Sequence, residues 1–131
     1  MVASTFEHTV TEADTAAALG SGDLPVLATP RLITWLERAT FTVAQTVVQP
    51  PQTTVGTLVQ VEHLKASPVG SQVIVTCSTP ISDAGRLIFH VQANDLVGSQ
   101  LAVGELHRRV IDPQRFMARV TASTSHPITT A

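Results

Sequence analysis

Three side chains suited to acid–base chemistry stand at wide intervals in the chain: Thr29, Glu37 and His63. Glu37 lies in a run whose apolar residues recur with helical period. At roughly 100° per residue it falls between Ile33 and Ala44 on one side and Val48 and Phe41 on the other, away from a polar stripe of Arg31, Thr34, Arg38, Thr42 and Gln45. A carboxylate so placed is partly desolvated, the condition under which such groups take up proton transfer. The blander alternative is a rim carboxylate that reaches water or pairs with Arg38 or Arg108. His63 shares an alternating face with Val55, Val59 and Val61, where a lone histidine is ordinarily a hydrogen-bonded core residue. If that face packs on the helix, an acid and an imidazole meet in an otherwise apolar layer, the pairing that acid–base catalysis uses. Thr29 immediately precedes Pro30, so its hydroxyl suits an N-cap. A helix start also presents free N–H groups that favour an oxyanion.

Other residues offer less. Cys77 stands alone, which excludes an intramolecular disulfide and leaves no second thiol for a zinc or redox motif. Its expected role is a small buried strand residue. Glu105 and His107 share a strand face, but two metal-capable residues without a third are a weak set. Arg108 and Arg109 end the last strand, where either guanidinium could meet a phosphate-bearing ligand. The glycines form no dinucleotide fingerprint, and no Gly-x-Ser-x-Gly elbow is present.

The elements that must position these groups follow from period and punctuation. Residues 5–10 suggest a short strand and residues 12–19 have helix-forming composition, broken by Gly20-Ser21-Gly22-Asp23. The Thr-Pro start predicts a helix over residues 30 to about 48. Its single wet stripe implies that other structure wraps it on most sides, and Gln49-Pro50-Pro51-Gln52 ends it. Beyond Thr53 the period changes to two. Strands are predicted over 53–66, 72–79, 86–94 and 100–111, with turns at 67–70 and 82–85. Such short links predict an antiparallel meander behind one buried helix, an α+β domain. That domain is expected over residues 1–118, with 119–131 a flexible polar tail.

Composition sets the outer bounds. The 131 residues suit one domain. Charged residues are only 14% and hydrophobic ones 44%, so the chain must fold and bury much of itself. A net charge of −2 removes the electrostatic attraction that nucleic-acid binding relies on. No run suits a membrane span, and the first residues lack the basic and apolar regions of a secretory signal, so neither nucleic acid nor membrane is expected as a partner and the cytoplasm is the expected location.

Ala28-Thr29, Leu36-Glu37, Val55-Gly56-Thr57, Val61-Glu62-His63 and the turn Ala66-Ser67-Pro68-Val69-Gly70 together resemble the hotdog-fold thioesterases related to fluoroacetyl-CoA thioesterase. Gly104, Arg108-Arg109-Val110-Ile111 and Phe116 extend the likeness over roughly residues 5–118. In that family a Thr just before the central helix, a Glu eight residues on and a His twenty-six beyond the Glu form the catalytic set, and Thr29, Glu37 and His63 keep both intervals. The resemblance implies an antiparallel sheet wrapped around one long helix. It further implies a homodimer with acyl-CoA at the subunit boundary, and hydrolysis to a carboxylate and free CoA with no cofactor besides the CoA of the substrate. Gly56 and Arg108 would serve the oxyanion or the substrate, with no metal. The fluoroacetyl-specific enzyme is rich in aromatics before its Thr. Leu19-Gly20-Ser21-Gly22-Asp23-Leu24 has none, so fluoroacetyl specificity is not implied. The alternative activity is a non-catalytic acyl-CoA or lipid-binding domain; a hydratase on the same fold would need its acid on another segment.

Overall fold

The computed structural model describes residues 2–124. Strand β1 (Val2–Thr9) is followed by a 3-10 turn (Glu12–Asp14), the short helix α1 (Ala16–Leu19) and the long helix α2 (Thr29–Ala44). Then come β2 (Thr53–His63), β3 (Gln72–Ser78), β4 (Ile81–Asp83), β5 (Arg86–Asn94), β6 (Gln100–Ile111) and helix α3 (Pro113–Thr124). All pairings are antiparallel, in the order β1-β3-β5-β6-β2, with β4 on β5. The α+β expectation of a sheet around one helix holds, but the meander does not: β2 pairs with β6 and never with β3. The link between β2 and β3 crosses to the far side of the sheet past the start of α2. There the Leu27 N–H donates to Ser67 O and the Val10 N–H to Ser71 O, so the link's polar backbone is satisfied where it is covered.

The concave face grips α2. Leu32, Leu36, Ala39, Val43 and Ala44 meet Val73, Val75, Cys77, Phe89, Val91 and Leu106, all buried. Thr34, Arg38, Thr42 and Gln45 are exposed, as the wet stripe predicts. The wrapping is less complete than expected, because Ile33, Glu37 and Phe41, one turn apart along one flank, are only half-buried, and Val47 is exposed. On the other flank Trp35 stacks on His8 of β1 with ring centroids 4.3 Å apart and planes 6° from parallel.

Strand β2 changes phase in mid-course. Gly56 faces Arg108 and Leu58 faces His107, so Thr57 is an extra residue without a partner, a β-bulge. Ahead of it Thr54 and Gly56 look at the helix; after it Val61 and His63 do. The predicted common face of Val55, Val59, Val61 and His63 is thereby corrected: Val55 lies on the outer side, near Ile111 and Phe116 of α3. Gly104, across from Val61, has no room for a side chain, since a Cβ there would run into the backbone of Gln60 and Val61.

Helix α3 crosses the expected end of the domain at residue 118, and residues 119–124 are helical where a flexible tail was expected. Asp112 caps it, accepting from the Arg115 N–H at 3.0 Å, and Pro113 takes the first turn, where no N–H is needed. Residues 125–131 of the expected tail lie outside the described residues. Phe89 sits with no exposure between the sheet and α2. Phe89→Ala should cost about 3–5 kcal/mol in denaturant unfolding; a loss under about 1 kcal/mol would show that the helix does not depend on this contact.

Candidate active site

The start of α2 carries the first half of the site. Ala28, not Thr29, is the N-cap, and no side chain caps the helix. The predicted capping role of Thr29 is therefore corrected: its hydroxyl lies 2.7 Å from His63 Nδ1 instead. Thr29 is the first helical residue and Pro30 follows, so the hydroxyl faces the end of β2 at the one place where the helix and that strand converge. His63 Nε2 is buried without a hydrogen-bond partner among the described residues. Desolvation pulls the imidazole's pKa below 6.5, opposed by the nearby backbone of Lys65. The pair borders a cleft of about 320 Å³ lined by Ala16, Ser21, Val26, Leu27, Leu64 and Ala66. No Phe, Tyr or Trp lines this cleft.

The second half lies two turns further along α2. The Glu37 carboxylate folds over Gly56: a Cβ on that glycine would come within 2.8 Å of Oε2, so a side chain there would push the carboxylate aside. The side chain stays 42% exposed on the open flank of the helix. Behind it Arg108, 7% exposed, points inward from β6. Its Nε donates to Thr54 Oγ1 at 2.8 Å and its Nη2 to Thr54 O at 3.3 Å, while Nη1 reaches Thr40 Oγ1 at 3.4 Å. Nη1 is 4.0 Å from Glu37 Oε2, and the guanidinium lies 5.5 Å from the centre of the Phe41 ring. Burial lowers the guanidinium's pKa and Glu37 raises it; arginine remains protonated throughout. Of the two arginines, either of which could meet a ligand's phosphate, Arg109 faces outward and Arg108 inward. What Arg108 touches is the support of Glu37. Of the two alternatives for the carboxylate, the structure matches the rim position beside Arg108.

The expected meeting of Glu37 with His63 does not occur within one chain. Thr29 and Glu37 are about 12 Å apart along the helix axis. Gly56 and His63 are roughly 20 Å apart along β2. The remaining candidates fall elsewhere. His107 Nε2 and Glu105 Oε2 pair at 2.6 Å on the outer face. Among the described residues no three His, Cys, Asp or Glu side chains converge as a metal set. Cys77 is buried and its thiol is pushed up to about 12 by desolvation, which makes it a poor nucleophile. The inward aim of Arg108 was missed, although its even-numbered spacing from Leu106 and Gly104 signals it.

Comparison with known proteins agrees with this architecture. The sequence matches the family described as "FlK: Fluoroacetyl-CoA-specific thioesterase" over residues 10–114. A point mutant of the fluoroacetyl-CoA-specific thioesterase FlK, in complex with fluoroacetate and CoA, superposes with a TM-score of 0.84 at 28% identity, over 92% of this chain and 98% of that one. A second structure of the FlK enzyme gives 0.83 at 27% identity, over 95% and 94%. A hot-dog-like protein from Thermanaerovibrio acidaminovorans shares the fold, with a TM-score of 0.85 at 17% identity over 95% and 91%. No curated protein sequence matches the chain significantly. A sheet closed around α2 and a match that spans the helix, the Gly56 strand and the Arg108 strand make this chain a member of the fluoroacetyl-CoA-specific thioesterase family, a thioester hydrolase of hotdog fold.

Proposed function

We propose that the chain hydrolyses acyl-CoA thioesters as a homodimer, each site combining Glu37 of one copy with Thr29 and His63 of the other. The observation that carries this reading is the division of the site described above: an imidazole held at Nδ1 with a bare Nε2, and a carboxylate too far along the same helix to reach it. A second copy supplies the missing half. Residues 56–60 of β2 are exposed on a free sheet edge, and Leu58 and Val59 are more than two-fifths exposed. An antiparallel pairing of two such edges about a two-fold axis between Val59 and Gln60 would set Gly56 opposite the partner subunit's His63. It would also cover the open flank of Ile33, Glu37 and Phe41.

In that arrangement Glu37 attacks the thioester carbonyl or deprotonates a water that does so. His63, neutral at pH 7, assists the attacking water and passes a proton to the departing thiolate. Thr29 fixes the imidazole. Backbone N–H groups near Gly56 or at the start of α2 face the oxyanion. Water and thioester are consumed, and carboxylic acid and CoA thiol are released. The cleft beside Thr29 has no aromatic cover, which favours acyl groups beyond fluoroacetyl.

A thiol-release assay over short, branched, long and aryl acyl-CoAs tests the activity. Glu37→Gln and His63→Ala should each lower turnover by at least about a hundredfold; near wild-type rates in both would sink the assignment, and stabilisation by CoA without thiol release would mark a binding domain. Mixed after dissociation and reassociation, the two inactive variants should recover about a quarter of wild-type activity, because half the dimers are mixed and one of their two sites is intact. Failure of the mixture to recover, with mixed dimers present, excludes a shared site. His63 should titrate by NMR with a midpoint below 6.5, and turnover should hold down to that pH and fall beneath it. The same lowering means protonation favours the unfolded chain, so His63's share of stability is present above 6.5 and lost as pH falls through the folded-state value. A midpoint at or above 6.5 contradicts both.

A further inference from the structure

The outer face of the sheet carries a second concavity, on the other side of β2 from Glu37. Where α3 leans over the ends of β2 and β6 it leaves a groove of about 480 Å³. Val55, Ile111, Phe116 and Val120 form its apolar lining, Thr57 borders it on the free edge strand, and Arg109 and Arg119 stand at its sides. Neither guanidinium has an ion pair or hydrogen bond among the described residues, and Val120 is left 40% exposed.

The acidic residues are mostly engaged. Asp14 pairs with Arg31, Asp83 with Arg86, Asp95 with Lys65 and Glu105 with His107, Glu37 lies over Arg108, and Asp112 caps α3. Glu7, Glu12, Asp23 and Glu62 have no ion pair or side-chain hydrogen bond among the described residues. Glu7 stands on β1 at the far edge of the sheet, and Glu12 and Asp23 precede α2. Glu62 is the one on β2. It is exposed and borders a shallow recess with Gln60, His90 and Glu105, which places it on the same outer face as the groove. Within one chain the two do not meet, because Glu62 and Val55 are roughly 20 Å apart along the strand.

The two-fold pairing of β2 edges brings them together. With Gly56 opposite the partner subunit's His63, the next residue, Thr57, stands opposite the partner subunit's Glu62. Opposed residues of an antiparallel pair share a face. The partner's Glu62 is thereby set at the mouth of the groove, flanked by Arg109 from β6 and Arg119 from α3, and an arginine fork matches a carboxylate. Symmetry repeats the contact, so each dimer has two.

We infer that α3 and the β2–β6 face form a clamp for a second copy of this chain, in which Arg109 and Arg119 hold the carboxylate of the partner subunit's Glu62 and the apolar lining covers its aliphatic stem. This rests on the shared-site dimer proposed above and assigns α3 and the outer face a role in assembly. Each catalytic site needs both copies, so the clamp sets how far the enzyme can be diluted before activity is lost.

Sedimentation equilibrium on the full chain at low salt would measure the dimer dissociation constant. E62R brings three cations together and R109E/R119E three carboxylates; each should raise that constant about tenfold or more. The triple variant E62R/R109E/R119E restores opposite charges in reversed order and should recover most of the loss, which neither a damaged fold nor a lost anion site would do. Added salt should weaken the wild-type dimer and tighten that of E62R. In thiol release, E62R should match wild-type kcat well above its dissociation constant and lose activity on dilution sooner.

A wild-type dimer whose dissociation constant is unchanged in E62R and R109E/R119E overturns the clamp and leaves the shared-site dimer standing. A triple variant no tighter than its parents overturns it equally, as does a kcat lost in R109E/R119E with dimerisation intact. A wild type that releases thiol while sedimenting as a monomer removes the shared-site dimer itself, and the clamp with it.

Discussion

A guanidinium buried beneath a helix must have its charge and its donors answered, and Arg108 is the residue around which the site is built. Its partners come from two other elements: the hydroxyl and carbonyl of Thr54 on β2, and Thr40 on α2. The Thr40 hydroxyl also donates to the Glu37 carbonyl at 2.7 Å, so one short chain of hydrogen bonds links the cation to the backbone that bears the carboxylate. Phe41 covers part of the same guanidinium. Helix, edge strand and neighbouring strand are thus fixed relative to one another at the level of Glu37, whose carboxylate lies over Gly56.

The surplus of apolar residues and the shortage of charge have an uneven destination. Much of the apolar content fills the layer between α2 and the sheet. Part of the rest lies on the Ile33–Phe41 flank, the free edge of β2 and the groove beside α3, and part stands exposed in loops, as at Leu24, Leu96 and Val97. The basic residues are distributed by the same logic. Arg108 is buried as a structural cation, Arg31, Lys65 and Arg86 close ion pairs, Arg38 lies on the exposed stripe of α2, and Arg109 and Arg119 stand beside an apolar recess.

The sequence made the core of this arrangement legible and hid its phase. The helix, the strands β5 and β6 and the exposed stripe of α2 follow from period alone, because each is read locally. The intervals among Thr29, Glu37 and His63 identified the right family, yet they could not say that one chain keeps them apart. The bulge at Thr57 has no mark in residue type, so the face of Val55 was misassigned while that of His63 was right. Strand order was lost for a related reason: short links imply antiparallel neighbours, but the segment after β2 is long enough to cross beneath the helix start. The cap of α3 was visible as Asp112-Pro113, and was masked by the unpatterned threonines and serines that follow.

Gly56 and His63 are separated by an odd interval, yet both look at the helix. In an unbroken strand that is forbidden, since odd intervals connect opposite faces. The unpaired Thr57 supplies the missing half-step, which makes β2 a segment with a parity rule. Descendants of this chain can lengthen or shorten the stretch between the two residues only by even steps, or by odd steps that add or remove a bulge. A single-residue gap in an alignment of this strand therefore signals a change of architecture more than a change of loop length.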